Sequence, residues 1–525
     1  MWKYLLAIPL IMHGLANLGG MVAPWTSSLS GFKDAPWLFG GGVKFRSLAG
    51  RAIILRMSLT LARALRMEPA SCVAFIGAGG KTTAIFKLAR ELPTGAIVTA
   101  TTHLGIWQTS LADRHIATDG DTIENLEGFQ GTLLVTGEPD GERTKPISEK
   151  LLHRLYQYCK SHAIPLLIEA DGSRQKPLKA WAEHEPPIPE FADLVVHVAG
   201  LSGLGKPLSE EHVHRAEKFA ELSGLTVGEI ISPEALASVL THPQGGLKNV
   251  PTTARRVILL NQADTADLQS AAQALTSSLL PTYQAVLISS LPHDQIHAVH
   301  EPIAGIVLAA GESKRFGKPK QLLEWKGQPF VRAVAQTALQ VGLSPVIVVT
   351  GSHAEQVEAA IHDLDVVIVQ NDDWQSGQGG SIREGILALT PPPSLPQIRN
   401  GKSDLRNSLE FEFGGGARRA EGVGGAVFLL SDQPQVTTTI IRALREKHAE
   451  GLYPIVAPMV LDRRGNPVLF DRATFPDLTA IEGDTGGRAI FHKHRVEYLP
   501  WHDDGLLLDV DTPEQYERLI ARDDL

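Results

Sequence analysis

Cysteine is almost absent from this chain, because Cys72 and Cys159 are the only two among 525 residues. Two thiols are too few for a disulfide framework or for a cysteine-based zinc site. The scarcity fits a reducing compartment, so the expected location is cytoplasmic.

The chain also lacks an excess of positive charge. Its 49 Lys and Arg against 58 Asp and Glu give a net charge of −9. A nucleic-acid-binding domain is expected to be basic, so this class of partner is excluded. No repeat of solenoid length occurs. With 43% hydrophobic residues, the chain can bury at least two cores at roughly 100–200 residues per domain.

The most informative stretch is IVLAAGESKRFGKPKQLL, Ile306 to Leu323. An apolar run typical of a buried strand leads into a loop where Gly311 lets backbone N–H groups approach a phosphate. The positive charge that a polyphosphate needs comes from Lys314, Arg315, Lys318 and Lys320. The pattern predicts a nucleoside triphosphate site, and a solvated surface loop is the alternative.

Acidic residues follow two other apolar runs. Asp432 comes after Ala426 to Leu430, and Asp509 and Asp511 come after Leu506 to Leu508. Parallel sheets present such residues at their carboxyl edge, and carboxylates with water and phosphate suit Mg²⁺. Two alternatives stay open: Asp511 could cap a helix, or Asp509 could be the ligand in its place.

A glycine-containing loop leads into a helix at Gln378 to Ser381. Gly380 and Ser381 could meet a phosphate or a base at the helix N-terminus. The alternative is that Ser381 is a plain N-cap.

A second strand, glycine loop and helix occurs at Ser71 to Leu92, SCVAFIGAGGKTTAIFKLAREL. Its spacing is tighter than the common GxxxxGK[ST], but glycines that expose N–H groups, a lysine and a hydroxyl for Mg²⁺ are all present. The candidate nucleotide-binding residues are Gly77, Gly79, Gly80, Lys81, Thr82 and Thr83. ATP or GTP is the expected ligand, and a helix entry without a ligand is the alternative.

Two elements farther along the first half fit the same interpretation. LLIEADGSRQKPLKAW places Glu169 and Asp171 after a strand, so these two acids and Thr82 are the expected metal ligands of this half. VILLNQAD resembles the base-reading NKxD element of GTPases, but Gln262 replaces its lysine. Guanine specificity is therefore left open.

Alternating strands and helices predict an α/β fold with two Rossmann-like three-layer domains and mostly parallel sheets. The first domain, P-loop-like, covers 57–293, the second covers 304–525, and 294–303 is a linker. A mobile insertion is expected at 391–425, which contains PPPSLP and GGG and few bulky apolar residues. Strands of the second domain are expected near 306–308, 346–349, 366–369, 426–430 and 455–458, and helices near 330–341, 354–361, 381–389 and 437–450.

The Ile306 to Leu323 stretch resembles the signature loop of the MobA/MocA-like nucleotidyltransferases, and LAAG with PKQLL looks closest to the molybdenum cofactor cytidylyltransferases. Further motifs in that family's order are NDDWQSGQGGSIREGI, LLSDQP, RRGNPVLF, GDTGGRAIF and LLLDVDTPEQY. The resemblance implies a nucleotide-diphospho-sugar transferase-like fold. It also implies that the backbone of Leu308, Ala309, Ala310 and Gly311 cradles the nucleotide. Arg315 and Lys320 would bind phosphate and act with Asp432 in catalysis. The implied metal ligands are Asp432 and Asp511.

The first half resembles the YqeC family, described as accessory to selenium-dependent molybdenum hydroxylases. The motifs are GAGGKTT, TATTH, EADGSRQKPLKAW, HRAEKFAELSG and NQAD, between about Ser58 and His293. This resemblance implies nucleotide binding and a maturation role, with a molybdenum hydroxylase as the client.

The expected function is molybdenum cofactor maturation with small-molecule substrates. The second domain would use Mg²⁺ to transfer CMP from CTP to molybdopterin and release pyrophosphate, while the first uses nucleotide hydrolysis to modify or insert the cofactor. The alternatives are a transferase that uses GTP or a sugar phosphate, and a nucleotide-switched chaperone without transferase turnover.

Residues 1–56 fit neither domain and are expected to be an apolar appendage. Residues 4–22 are apolar and near the roughly 20 residues that span a bilayer, but they contain proline, histidine, asparagine and glycine. Membrane contact is expected only if residues 4–22 belong to the native protein and insert into a bilayer. The other expectation is a native start near Met57. Secretion is disfavoured because it would separate the protein from its nucleotide supply.

Overall fold

Strands that are apolar on both faces form the centre of each half of the chain. The computed structural model describes residues 59–121, 126, 129–312, 316, 318–389 and 422–523. The predicted appendage 1–56 and residues 391–421 of the predicted insertion lie outside these ranges. Within the described ranges, no helix has the length and apolarity needed to cross a bilayer.

The described part of the first half contains a nine-stranded sheet in the order β13-β12-β11-β9-β1-β7-β2-β4-β3. Every pair in it is parallel except β12 with β13. The strands of this half are β1 (Cys72–Gly77), β2 (Ala96–Ala100), β3 (Arg114–Ala117), β4 (Thr132–Thr136), β5 (Pro139–Asp140), β6 (Arg143–Thr144), β7 (Leu166–Glu169), β8 (Leu178–Lys179), β9 (Leu194–Gly200), β10 (Val213–His214), β11 (Arg255–Asn261), β12 (Ala285–Ser290) and β13 (Gln295–His300). The helices are α1 (Leu61–Ala64), α2 (Lys81–Glu91), α3 (Glu149–His162), α4 (Ala216–Ser223), α5 (Pro233–Thr241) and α6 (Ala266–Leu279).

Helices cover both faces of this sheet. Alternate residues of a strand point to opposite faces, so Val73 and Phe75 of β1 pack with α2 on one face, while Ala74 and Ile76 pack with α3 on the other. Side-chain caps fix where helices begin: the Ser148 hydroxyl accepts a hydrogen bond from the Leu151 N–H at α3. The predicted three-layer architecture is confirmed.

The prediction that 294–303 is a linker is wrong for residues 295–300. These residues form β13, which pairs antiparallel with β12 and closes an edge of the first sheet. Only Glu301 and Pro302 separate β13 from the next strand. Because β13 is mostly half-buried, its sequence has no continuous apolar run that would predict a strand.

In the second half, the described residues contain an eight-stranded sheet in the order β18-β17-β14-β19-β22-β20-β21, with β23 beside β20. Its strands, with two that form a separate hairpin, are β14 (Ile303–Leu308), β15 (Glu324–Trp325), β16 (Gln328–Pro329), β17 (Val346–Thr350), β18 (Val367–Gln370), β19 (Gly425–Leu430), β20 (Ile455–Val460), β21 (Arg463–Arg464), β22 (Val468–Asp471) and β23 (Val496–Pro500). The helices are α7 (Phe330–Gln340), α8 (Ala354–Ile361), α9 (Gln378–Leu389), α10 (Thr438–Gly451), α11 (Phe475–Thr479) and α12 (Pro513–Asp523).

The second sheet also lies between helices. Val307 of β14 packs with α7 and α10 on one face, and Ile306 packs with α9 on the other. β14 is parallel to both β17 and β19, so the carboxyl ends of these three strands share one edge. Gly425, the last residue of the predicted insertion, belongs to β19.

A half-buried arginine joins the two halves. Arg66 Nη2 lies 2.6 Å from a carboxylate oxygen of Glu301 and 2.7 Å from one of Asp471, and it also donates to the carbonyl of Gly424. Burial opposes the charge on Arg66, but the two carboxylates raise its pKa above the ordinary value. Residues before the first sheet are therefore anchored to the second.

Two candidate nucleotide sites

The second sheet opens into a cleft of about 420 Å³ at the ends of β14 and β19. Small-molecule sites commonly have volumes of roughly 300–1,000 Å³. Seven residues predicted from the sequence lie in its walls: Leu308, Ala310, Gly311, Lys320, Ser381, Asp432 and Asp511. The other eight wall residues were not among the site residues named from the sequence: Phe316, Gln321, Trp374, Gly377, Gln378, Leu430, Ser431 and Asp484. Of the other predicted residues, Arg315 lies outside the described residues.

The loop after β14 is held by hydrogen bonds. The Ala309 N–H donates to the Val349 carbonyl at 2.9 Å, and Gln321 Nε2 donates to the carbonyls of Ala309 at 3.1 Å and Gly311 at 2.6 Å. A Cβ on Gly311 would meet only the Gln321 amide, at 3.9 Å. The protein's own packing does not require glycine there, and the absence of a side chain leaves open space in the cleft wall.

A lysine lies between two acids in the cleft wall. Lys320 Nζ is 2.9 Å from Asp432 Oδ2 and 2.6 Å from Asp511 Oδ1. Burial opposes its charge, but Asp432 and Asp511 raise the pKa of Lys320 above its ordinary value. Burial, and then the Asp432 charge, raise the pKa of nearby Asp509. Asp509 therefore lies in the negative field of the two acids that flank Lys320.

Asp511 does not cap α12. The Thr512 hydroxyl accepts from the Gln515 N–H at 3.4 Å, and Gln515 Oε1 accepts from the Thr512 N–H at 2.9 Å, which is a reciprocal capping box. The capping alternative for Asp511 is wrong, because Thr512 serves that end of the helix and leaves the Asp511 carboxylate directed at Lys320.

The N-cap alternative for Ser381 is also wrong. α9 begins at Gln378, so Ser381 and Gly380 lie within its first turn. The Ser381 hydroxyl accepts from Asn371 Nδ2 at 3.1 Å. The Gly379 N–H donates to the Gly483 carbonyl at 3.1 Å, which ties the start of α9 to the loop that carries the wall residue Asp484.

The first half has its loop between β1 and α2. Gly79 has a φ of +86°, and a Cβ there would lie 2.3 Å from the Gly200 nitrogen, so only glycine fits. The Gly79 N–H donates to the Lys176 carbonyl at 3.1 Å, and the Gly77 N–H donates to Asp171 Oδ2 at 3.1 Å. Since these groups already have acceptors, a phosphate would be met from Gly80 onward, at the N-terminus of α2.

Lys81 of this loop is paired inside the protein. Its Nζ donates to the Gly77 carbonyl at 2.6 Å and lies 3.1 Å from Asp171 Oδ1. Lys179 and the Trp181 indole N–H bind Asp171 Oδ2, at 2.9 Å and 2.8 Å. Burial would raise the pKa of Asp171, but the two lysines hold it below the ordinary value. Asp171, predicted as a metal ligand, is therefore placed between two lysines.

The other predicted metal ligands of this half meet. The Thr82 hydroxyl donates to Glu169 Oε2 at 3.1 Å, and Gln108 Nε2 donates to the same hydroxyl oxygen at 3.2 Å. Burial raises the pKa of Glu169 above its ordinary value, although Lys81 opposes this shift. Thr83 is exposed in the first turn of α2.

The NQAD element supports the phosphate loop. Asn261 Nδ2 donates to the Gly79 carbonyl at 2.8 Å, and Asn261 Oδ1 accepts from the Ser289 hydroxyl and the Leu291 N–H. Gln262 Oε1 accepts from the Ser202 hydroxyl at 2.6 Å. The asparagine therefore has a structural role here that does not depend on a base.

Within the residues that the structure describes, no group of three or more His, Cys, Asp or Glu is arranged to hold a metal ion. Two carboxylates that already share one cation, as Asp432 and Asp511 do, nevertheless match the preference of Mg²⁺ for few protein ligands plus phosphate and water.

Comparison with known proteins divides the chain in the same way. The YqeC protein family matches residues 73–217, and the MobA-like NTP transferase domain matches residues 305–498. Both resemblances drawn from the sequence are thereby confirmed, as is the transferase fold expected of the second domain.

Three similar proteins are informative. The uncharacterized protein YqeC of Escherichia coli (strain K12) is 33% identical over 197 residues, which are 36% of this chain and 75% of that protein. The nicotine blue oxidoreductase of Paenarthrobacter nicotinovorans is 30% identical over 227 residues, 42% of this chain and 96% of that protein. A probable molybdenum cofactor guanylyltransferase of Bacillus cytotoxicus is 36% identical over 77 residues, 15% of this chain and 37% of that protein.

Proposed function

This chain belongs to the YqeC family in its N-terminal half and to the MobA-like NTP transferase family in its C-terminal half, and we propose that it matures the molybdenum cofactor. The C-terminal domain transfers CMP from CTP to molybdopterin, or to its molybdenum-loaded form, and releases pyrophosphate. The observation that supports this most is the position of Lys320 between Asp432 and Asp511 in the cleft wall.

The proposed reaction is a displacement at the α-phosphorus of CTP. An oxygen of the molybdopterin phosphate forms a bond to that phosphorus, and the bond from phosphorus to the oxygen that bridges to the β-phosphate breaks. The electron pair leaves with pyrophosphate. The loop Leu308 to Gly311 positions the triphosphate, and Lys320 with Arg315 stabilises the charge that develops.

Asp432 and Asp511 would hold Mg²⁺. When bound, the ion would neutralise negative charge on the reacting oxygens. Asp509 supports this assignment, because the Asp432 and Asp511 charges help to raise its pKa, and a divalent cation would relieve that repulsion. Lys320 would then turn from the carboxylates toward the phosphates.

The choice of CTP rests on the LAAG and PKQLL elements. The similar protein whose name specifies guanylyl transfer favours GTP as the second candidate. The shared chemistry of the two is nucleotidyl transfer to a molybdenum cofactor, and the base is the point at which they differ.

Pyrophosphate release by the purified chain separates these candidates. The assay contains Mg²⁺ and molybdopterin, with CTP or GTP in parallel, and Asp432→Ala as the control. Release with CTP that disappears in the control is expected, whereas preference for GTP would move the reaction to the guanylyl type. No release with either nucleotide would overturn transfer and favour a nucleotide-switched chaperone.

In the same proposal the N-terminal domain binds ATP or GTP at the start of α2. Its hydrolysis assists maturation of a client molybdenum hydroxylase, with the selenium-dependent enzymes as the specific class. Lys81, Thr82 and Glu169 support this role, because they converge next to the glycine loop. Normal maturation of the client by the Lys81→Met chain would contradict it.

A further inference from the structure

The segment that follows β2 brings an unpredicted amide to the N-terminal site. Gln108 lies in a short 3-10 helix, Ile106–Leu111, and is buried with 8% of its surface exposed. β2 lies next to β7 in the sheet, and β7 lies next to β1. Gln108, Glu169 and Thr82 therefore approach one another from the carboxyl ends of three adjacent strands.

The direction of the hydrogen bonds fixes how the Gln108 amide is oriented. The Thr82 hydroxyl has one proton, which it donates to Glu169. It must therefore accept from Gln108, which places the NH₂ group against Thr82 and turns Oε1 away. Gln108 Oε1 is buried and has no hydrogen-bond partner among the described residues.

A buried carbonyl oxygen without a donor is rare in native proteins, and a ligand commonly supplies the donor at functional sites. The Thr102 hydroxyl, in the same connection after β2, is a second buried polar atom without a partner in the described part of the chain. The missing donor must be an O–H or N–H group on the side of the Gln108 amide that faces away from Thr82. The proposed nucleotide carries its terminal phosphate next to the Thr82 hydroxyl, within reach of that side.

We infer that Gln108 orients the water that attacks this phosphate, an inference that rests on the proposed nucleotide hydrolysis in this domain. Water donates a hydrogen bond to Gln108 Oε1, and its oxygen forms a bond to the γ-phosphorus. The bond from that phosphorus to the β–γ bridging oxygen breaks, and its electron pair leaves with the nucleoside diphosphate. The proton of the water passes to an oxygen of the phosphate product, so Gln108 is unchanged.

The test compares variants of the full chain in an Asp432→Ala background, which removes the C-terminal reaction. Release of inorganic phosphate from MgATP and MgGTP gives kcat, and fluorescent mant-ATP and mant-GTP give Kd. We expect Gln108→Ala and Gln108→Met to lower kcat about 100-fold, as loss of an aligned reacting group does, with little change in Kd. Ser110→Ala, in the same 3-10 helix, should leave both quantities unchanged.

The methionine variant distinguishes orientation from packing, because it keeps the volume of Gln108 but has no amide. Full activity in Gln108→Met would overturn the inference and leave hydrolysis standing. If the Asp432→Ala chain binds a nucleotide but releases no phosphate, the inference is also overturned. The proposal that this domain binds a nucleotide would still hold. If that chain neither binds nor hydrolyses ATP or GTP, the proposed N-terminal function fails together with the inference.

Discussion

The two candidate sites hold their lysines in different ways. The Lys81 side chain is 2% exposed and pairs with Asp171, which is fully buried, whereas the Lys320 side chain is 17% exposed and pairs with acids that are 23% and 45% exposed. The C-terminal lysine and its acids are therefore accessible from solvent, as the proposed binding of a triphosphate requires. The N-terminal lysine must exchange a buried carboxylate for a phosphate before it can bind one.

This difference separates stability from ligand binding. A buried ion pair is costly to break because each charge left behind loses both its partner and water. A half-exposed pair contributes little to folding, since solvent screens it. Changes at the N-terminal pair should therefore act on the folded state, and changes at the C-terminal pair should act on turnover.

The largest effect is expected from Asp171→Asn. The substitution leaves Lys81 and Lys179 without their shared carboxylate in a buried site, so the free energy of unfolding should fall by about 3–5 kcal/mol. Urea denaturation followed by circular dichroism measures the change. Asp121→Asn is the matched control, because it breaks a surface pair with Lys150 and keeps an oxygen that can accept from the Ser148 hydroxyl, so it should not move the midpoint. A midpoint for Asp171→Asn equal to that of the parent would contradict the comparison.

The second effect concerns turnover at the C-terminal cleft. Asp432→Ala should lower the rate of pyrophosphate release about 100–1,000-fold, as loss of a group that stabilises transition-state charge does, while the urea midpoint stays near that of the parent. The matched control is Asp363→Ala, which removes a partner of Arg332 away from the cleft. If Asp432→Ala unfolded the domain instead, the acid would be structural and the contrast with Asp171 would be lost.

In the second sheet, the sequence predicted strands that carry a continuous apolar run, but it did not predict β22, although that strand is buried along its length. The apolar runs at 346–349 and 426–430 match β17 and β19 within a residue at each end. β13 and β23 were missed because their residues are mostly half-buried and show no continuous apolar run. An edge strand takes its conformation from the strand it pairs with, which local sequence does not reveal.

The same limit applies to the sites. Residues that directly follow predicted strands, such as Asp432 and Lys81, could be named from the sequence. Gln108 could not, because it reaches Thr82 from a segment 26 residues away and no local pattern marks it. Gln321 was inside the quoted PKQLL element, so a signal existed, but its role as a support for the preceding loop depends on how the chain folds back.

A smaller effect is expected from that support. Gln321→Ala removes two hydrogen bonds to the loop that lines the cleft, and the KM for the nucleotide should rise about 10-fold, the equivalent of a lost hydrogen bond or two. Steady-state pyrophosphate release at varied CTP or GTP measures it. Gln328→Ala, on the hairpin strand β16, is the control. An unchanged KM would show that the loop keeps its position without the glutamine.

The smallest effect tests whether the N-terminal site needs an added cation to neutralise the Glu169 carboxylate. Burial raises the pKa of Glu169, so the stability linked to this group is present below the ordinary carboxyl range and is lost as pH rises through the folded-state pKa. Glu169→Gln should remove this loss of folding stability at high pH, because glutamine does not ionise. Its Tm should exceed that of the parent by about 2–4 °C at pH 8, and the difference should vanish near pH 4.

Asp509→Asn extends this comparison to the C-terminal cleft, since the pKa of Asp509 is also raised by burial and by its acidic neighbours. Asp509 is buried only in part and keeps more exposed surface than Glu169, so solvent screens its neighbours and its substitution should raise Tm less than Glu169→Gln does. A Glu169→Gln chain that melts below the parent at pH 8 would mean that Lys81 outweighs burial and stabilises the carboxylate. In that case Lys81 would already neutralise the Glu169 carboxylate. Only the C-terminal cleft would then need an added cation.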